Sequence, residues 1–175
     1  MIRLIIIFLM VFGIAKADRD GGPYIGVGYG MSEFGKNDIY KDLKENRANS
    51  YNVYAGAAIN KYLSVEISNI RLGGYILAND SELKTIINSL STLVQYPFLD
   101  DMFAVYAKVG VGHIKLSTIK DTGFTYVFGG GVSYRYNKYL ALKVGYEYYP
   151  FDYESDKIES SMKIEYAFGA IEVQF

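Results

Sequence analysis

The chain has 175 residues, a formal net charge of −1, no cysteine, and 18 tyrosines, 10 phenylalanines and 18 glycines against three prolines. A near-neutral charge without a basic surface excludes a nucleic-acid partner, and the missing cysteines exclude a disulfide scaffold and thiolate metal centres. Aromatic, β-branched and glycine-rich composition points to strands.

The first element is not part of the fold. Arg3, an apolar stretch over residues 4–14 and Ala15-Lys16-Ala17 have the order of a cleaved secretory signal peptide. The apolar stretch is well short of the roughly 20 residues a spanning helix needs. Cleavage after Ala17 leaves a mature domain of 158 residues, 18–175, whose net charge becomes −3 once Arg3 and Lys16 are gone. That is long enough for one domain with its own core. No later apolar run is long enough for a membrane helix, so membrane residence requires a closed barrel, the other structure that satisfies every backbone group in lipid.

Segments alternating at period two then follow one another. Ile25, Val27, Tyr29 and Met31 share one face and Gly26, Gly28, Gly30 and Ser32 the other, which reads as lipid-out and lumen-in. Residues 33–47, with four acidic and four basic side chains, read as a long loop. The second strand covers residues 49–60, with Tyr51, Val53, Ala55, Ala57 and Ile59 outward and Asn52, Tyr54, Gly56 and Ala58 inward. A tight turn at Asn60-Lys61-Tyr62 leads to a third, with Leu63, Val65 and Ile67 outward and Ser64, Glu66 and Ser68 inward.

Residues 81–95 are ambiguous. Leu83, Ile86, Ile87, Leu90, Leu93 and Val94 have helical spacing after a cap at Asp80 or Ser81. A strand is preferred because Leu90, Thr92, Val94 and Tyr96 alternate up to a turn at residues 97–101, and because bacterial barrels have an even strand number.

The fifth strand places Phe103, Val105, Ala107, Val109 and Val111 outward, and the sixth Phe124, Tyr126, Phe128, Val132, Tyr134 and Tyr136. After a turn at Asn137-Lys138-Tyr139, Leu140, Leu142, Val144, Tyr146 and Tyr148 point outward in the seventh, with Ala141, Lys143, Gly145 and Glu147 inward. In the last strand, residues 160–175, Met162, Ile164, Tyr166 and Phe168 lie on one phase and Ile171, Val173 and Phe175 on the other. A bulge near Gly169 is expected to reconcile them, leaving all seven outward. The expected fold is all-β: an eight-stranded antiparallel up-and-down transmembrane β-barrel.

The segment Asn60-Lys61-Tyr62-Leu63-Ser64-Val65-Glu66-Ile67 is echoed by Asn137-Lys138-Tyr139-Leu140-Ala141-Leu142-Lys143-Val144. With no further copy, this reads as two equivalent hairpins converging on one turn chemistry. Together with Tyr24-Ile25-Gly26-Val27-Gly28-Tyr29-Gly30, Tyr106-Ala107-Lys108-Val109-Gly110-Val111-Gly112 and the terminal Phe175, these segments resemble the small outer-membrane β-barrel family. That family includes OmpA-type transmembrane domains, OmpX-like proteins and opacity-type porin-family proteins of Gram-negative bacteria. The resemblance implies the outer membrane as location, its lipid and the barrel assembly machinery as partners, Phe175 as part of the assembly signal, and an extracellular ligand for the loops.

Chemistry-bearing residues are few. Some barrels of this size modify lipid A with a His and a Ser at the outer rim, so His113 with Ser117 is a pair to weigh; only closeness in sequence supports it, and no catalytic set is assigned. Gly26, Gly28 and Gly30 lack the third glycine and the helix of a nucleotide loop. Asp152, Glu154 and Asp156 have the spacing of calcium ligands, but Lys157 replaces the required glycine. No metal or cofactor is expected. The candidate site is the lumen, because Glu66, Lys108, Arg135, Lys143, Glu147, Lys163 and Glu165 all fall on the expected inward phase. They should pair as a polar core in an interior just filled by side chains. Matching turns suggest that Glu66 meets Lys143, with Arg135 sharing the pair. Three functions remain open: a membrane anchor displaying loops, a small-solute channel, and a lipid-modifying enzyme.

Overall fold

The computed structural model describes residues 21–35, 43–77, 82–116, 121–155 and 158–175. The strands are β1 (Gly22–Phe34), β2 (Leu43–Glu45), β3 (Arg47–Asn60), β4 (Leu63–Leu77), β5 (Glu82–Phe98), β6 (Phe103–Leu116), β7 (Asp121–Arg135), β8 (Leu140–Ser155) and β9 (Ile158–Gln174). Eight of them form one ring in the order β4-β3-β1-β9-β8-β7-β6-β5, which closes through β4–β5 pairing; the three-residue β2 adds to the end of β4. Every pairing in the ring is antiparallel. Closure leaves no unpaired edge, the condition for crossing lipid as strands.

The register fixes the barrel's shape. From Ala57 on β3, partners run Val65, Thr92, Val109, Phe128, Tyr148, Glu165 and Glu33, and return to β3 at Arg47, ten positions from the start. Eight strands with that stagger, about 4.8 Å apart and rising about 3.3 Å per residue, tilt by about 40° around a backbone radius of about 8 Å. Side chains fill such an interior. The outer wall is apolar at mid-height, with Ile25, Val27, Val53, Ile67, Leu90, Val109, Val111, Val132, Leu142 and Val144 all exposed.

At the turn end, the two matching hairpins are built alike. The Asn60 side-chain oxygen accepts from the backbone amides of Tyr62 and Leu63 at 2.8 and 2.9 Å, and Asn137 does the same for Tyr139 and Leu140 at 2.8 and 2.9 Å. Each following lysine lies over the next tyrosine ring, Lys61 on Tyr62 and Lys138 on Tyr139. Asparagine is placed there because its side chain imitates the turn's own backbone acceptor.

Three local expectations are corrected and one ambiguity is resolved as expected. The stretch over residues 33–47 is not all loop: Glu33 and Phe34 end β1, Arg47 opens β3 opposite Glu33, and their charges pair at 3.0 Å. Pro97 and Phe98 belong to β5, and the turn falls on Leu99–Met102, where Leu99, Asp100 and Asp101 adopt left-handed φ of 51°, 53° and 58°. The helical alternative for residues 81–95 gives way to β5; the spacing looked helical because apolar residues occupy both faces, Ile87 and Leu93 inward and Leu90 and Val94 outward. Finally, β9 pairs without interruption through Gly169 on both sides, so no bulge reverses its phase. A register shift occurs instead in β4 between Leu72 and Tyr75. The segment up to Ala17 lies outside the described residues.

Candidate functional site: the barrel interior

The lumen is built in two layers. Nearer the turn end, the ammonium of Lys108 on β6 bridges two carboxylates, at 2.8 Å to Glu66 on β4 and 2.7 Å to Glu147 on β8. All three side chains are almost wholly buried. The Tyr24 hydroxyl donates to Glu66 at 3.3 Å, and the Tyr149 hydroxyl donates to Glu147. Each carboxylate therefore has a cation and a phenol, which is what a charge requires in a poorly solvated interior.

Lys143 forms a second centre. It pairs with Glu172 on the neighbouring strand, and three rings surround its ammonium: Tyr24 at 5.0 Å, Tyr54 at 5.2 Å and Tyr106 at 5.6 Å. Such cation–π contacts gain strength where water is excluded. The glycines opposite make this cage possible. A Cβ on Gly26 would stand 2.2 Å from the Tyr54 ring, and one on Gly56 would stand 2.3 Å from the Tyr24 ring. The cavity left between Glu66, Lys108, Lys143 and Glu147 measures about 10 Å³, room for one water at most.

Toward the loop end the interior turns apolar. Phe34, Ile70, Tyr75, Ile87, Val127, Tyr149 and Ile164 have no solvent exposure, and Leu72, Ile114, Phe151 and Tyr166 pack with them. Phe34 meets Tyr75 edge-on at 5.4 Å and Phe151 at 6.2 Å. Polar groups at this level are few: the Tyr75 hydroxyl donates to Ser32 at 2.6 Å and Ser32 meets Ser50 at 2.6 Å, while the buried Thr85 hydroxyl has no partner among the described residues.

The structure thus brings Glu66, Lys108 and Glu147 together, and holds Lys143 nearby on a partner, Glu172, that sequence reasoning did not single out. The Glu66–Lys143 pair is corrected: Lys108 reaches Glu66 from two strands away, while Glu172 is a diagonal neighbour of Lys143 across the β8–β9 ladder. Arg135 lies at the turn-end mouth, half-buried, lining a cavity of about 20 Å³ with Lys61, Gln95 and Asp101.

Lys163 and Glu165 are not in the lumen. With no bulge in β9, they face outward and pair with each other at 3.1 Å, while Ile164, Tyr166 and Phe168 fill the interior. Phe175 is on the outward phase with Ile171 and Val173, and its backbone amide donates to the Pro23 carbonyl at 2.9 Å. His113 points out of the barrel wall; Ser117 and Asp156 lie outside the described residues, as do the side chains of Asp152 and Glu154. Glu172 was legible: Ile171, Val173 and Phe175 fix the outward phase, and counting back from them places both Glu172 and Ile164 inside.

A closed eight-stranded antiparallel ring with an apolar outer wall and a packed interior is a small transmembrane β-barrel. The chain belongs to the outer membrane protein beta-barrel domain family, whose model matches residues 4–170. No curated protein matches it in sequence. Among solved structures it is similar to Neisserial surface protein A, NspA, at 15% identity and a TM-score of 0.65, covering 89% of this chain and 99% of that one. It is also similar to Ail, the attachment invasion locus protein of Yersinia pestis, at 18% identity and a TM-score of 0.56, covering 89% and 99%. The outer membrane protein OprG from Pseudomonas aeruginosa matches at 13% identity and a TM-score of 0.57, covering 92% and 99%. At these identities the likeness is one of fold.

Proposed function

We propose that the chain is a non-enzymatic anchor of the outer membrane, exported by a cleaved signal peptide, that displays its loops for binding or for envelope integrity. The observation that carries this reading is the solid interior: a charged layer with about 10 Å³ of free space and, above it, an apolar layer sealed by Phe34, Tyr75, Phe151 and Ile164. An ion moving along the axis would have to break the Lys108 bridge and then cross a layer in which buried apolar side chains far outnumber the polar ones. Lipid, the assembly machinery acting on Phe175, and an extracellular ligand of the loops are the partners this reading implies. An outward His113 with no described carboxylate or hydroxyl bonded to it does not support acyl-transfer chemistry.

Planar-bilayer recording of the purified, folded protein tests the proposal. Little or no steady conductance is expected. A large, stable conductance would replace the anchor with a small-solute channel, and a changed lipid A mass spectrum on expression would replace it with an enzyme.

A further inference from the structure

The ring is paired throughout the lipid, but one interface stops short above it. Strand β7 reaches back to Asp121 and β8 runs on to Ser155, both described along their whole length, yet the ladder between them ends at Phe128 and Tyr148. The flanking ladders continue, β6–β7 to Leu116 opposite Asp121 and β8–β9 to Ser155 opposite Ile158. The loop half of β7 is thus paired only with β6, and that of β8 only with β9.

A proline causes the stop. Continuing the ladder would set Tyr126 opposite Pro150, which has no N–H to give. The Thr125 hydroxyl stands in for the lost bond, 2.8 Å from the Pro150 carbonyl and 2.9 Å from that of Tyr126. This contact also shows which groups face the seam. The Pro150 carbonyl points toward β7, so by the alternation of an antiparallel strand the backbone N–H and C=O groups of Asp152 and Glu154 point the same way. No ladder partner meets them there.

From Leu140, β8 has climbed about 20 Å by Tyr148 at the barrel's tilt, most of the roughly 25 Å apolar band. Asp152 and Glu154 therefore stand beyond the lipid, where an unpaired strand edge is allowed. Such an edge complements one kind of partner, another extended backbone. Charge narrows the choice: residues 121–127 and 149–155 hold Asp121, Asp152 and Glu154 and neither lysine nor arginine. The same acidity opposes edge-to-edge pairing of two copies of the chain.

We propose that the extracellular edge of β8 binds a basic peptide segment in extended conformation, which joins the β8–β9 hairpin as an added strand. This gives the loop-displaying anchor a partner class and rests on that reading; conductance tests the anchor, whereas peptide affinity tests the edge alone.

Fluorescence anisotropy of labelled synthetic heptapeptides on the folded protein in nanodiscs tests this. The probes are an alternating lysine, valine and threonine peptide, its counterpart with glutamate for lysine, and a fully N-methylated form of the first, which keeps the charge but donates no backbone bond. The basic peptide should bind, and the glutamate and N-methylated forms should each bind about tenfold more weakly, the loss of two hydrogen bonds or so. Asp152→Pro/Glu154→Pro removes two donors from the free edge and leaves the β9 side paired, so it should also lose about tenfold. Asp152→Asn/Glu154→Gln keeps those donors and should lose only the preference for lysine over glutamate. Heat-modifiable gel mobility checks folding; should the proline variant not fold, the N-methylated peptide on wild-type protein decides. Equal binding of the N-methylated peptide, or no binding of the basic one, overturns the proposal. So does a concentration-dependent dimer that excludes the peptide, which would assign the edge to a second copy.

Discussion

The two halves of the lumen solve one packing problem by opposite means. Near the turns, Lys108, Glu66, Glu147, Lys143 and Glu172 occupy the axis, and every charge is held by a partner. Near the loops, Phe34, Ile70, Ile87, Val127 and Ile164 occupy it and need only shape. A charged layer behaves as a unit, because the loss of one member strands the others without solvent. An apolar layer loses stability in proportion to the volume removed.

The sharpest way to break the comparison is Lys108→Met, which leaves Glu66 and Glu147 both buried without their cation. Stability should fall by about 3 to 5 kcal/mol, read from reversible urea unfolding of the barrel in lipid vesicles. The triple variant Glu66→Gln/Lys108→Met/Glu147→Gln should recover most of that loss, since the stranded charges are gone. A mild effect of Lys108→Met alone would mean that water reaches the charged layer and that the lumen is more open than its packing implies.

Next in size is a charge on the wall. Val144 is 68% exposed and sits mid-strand on the apolar face, so Val144→Arg should cost about 2 to 4 kcal/mol and reduce the heat-modifiable folded band on gels. Smaller again is a trim of the apolar layer: Ile164→Val, at a position with no exposure, should cost about 0.5 to 1.5 kcal/mol and leave conductance unchanged. That graded response beside the large loss at Lys108 is the difference between the two halves expressed as stability.

The same difference explains what could be read from the sequence. Where the two faces of a strand differ chemically, alternation reports the fold directly: Leu142, Val144 and Tyr146 against Ala141, Lys143 and Glu147 place β8 correctly, and β1, β3 and β6 likewise. Where the lumen is apolar, both faces look alike and the pattern loses its meaning. Ile87 and Leu93 make β5 resemble a helix, and Ile164, Tyr166 and Phe168 read as lipid-facing residues that require a bulge, although they fill the interior. The charged site was legible as a set of inward residues, but its pairing was not. Which strands a lysine can reach depends on barrel stagger and side-chain length, and neither is written in local spacing.

The smallest expected effect separates the two readings of β9 most cleanly. If the strand reversed its phase at Gly169, Lys163 and Glu165 would be buried lumen charges, and Lys163→Gln would strand a carboxylate much as Lys108→Met does. In the structure the two form an exposed pair at 3.1 Å on the outer rim, with Ile164 between them turned inward. Exposed pairs contribute little, because water solvates either partner once the other is removed. Lys163→Gln should therefore leave the urea midpoint unchanged within scatter, and Glu165→Gln should do the same. Paired with Ile164→Asp, which should prevent folding by placing an unpaired carboxylate in the apolar layer, the two substitutions at adjacent positions give opposite outcomes for the two phases. Tolerance of Ile164→Asp together with failure of Lys163→Gln would restore the bulge and move the charged layer up the barrel.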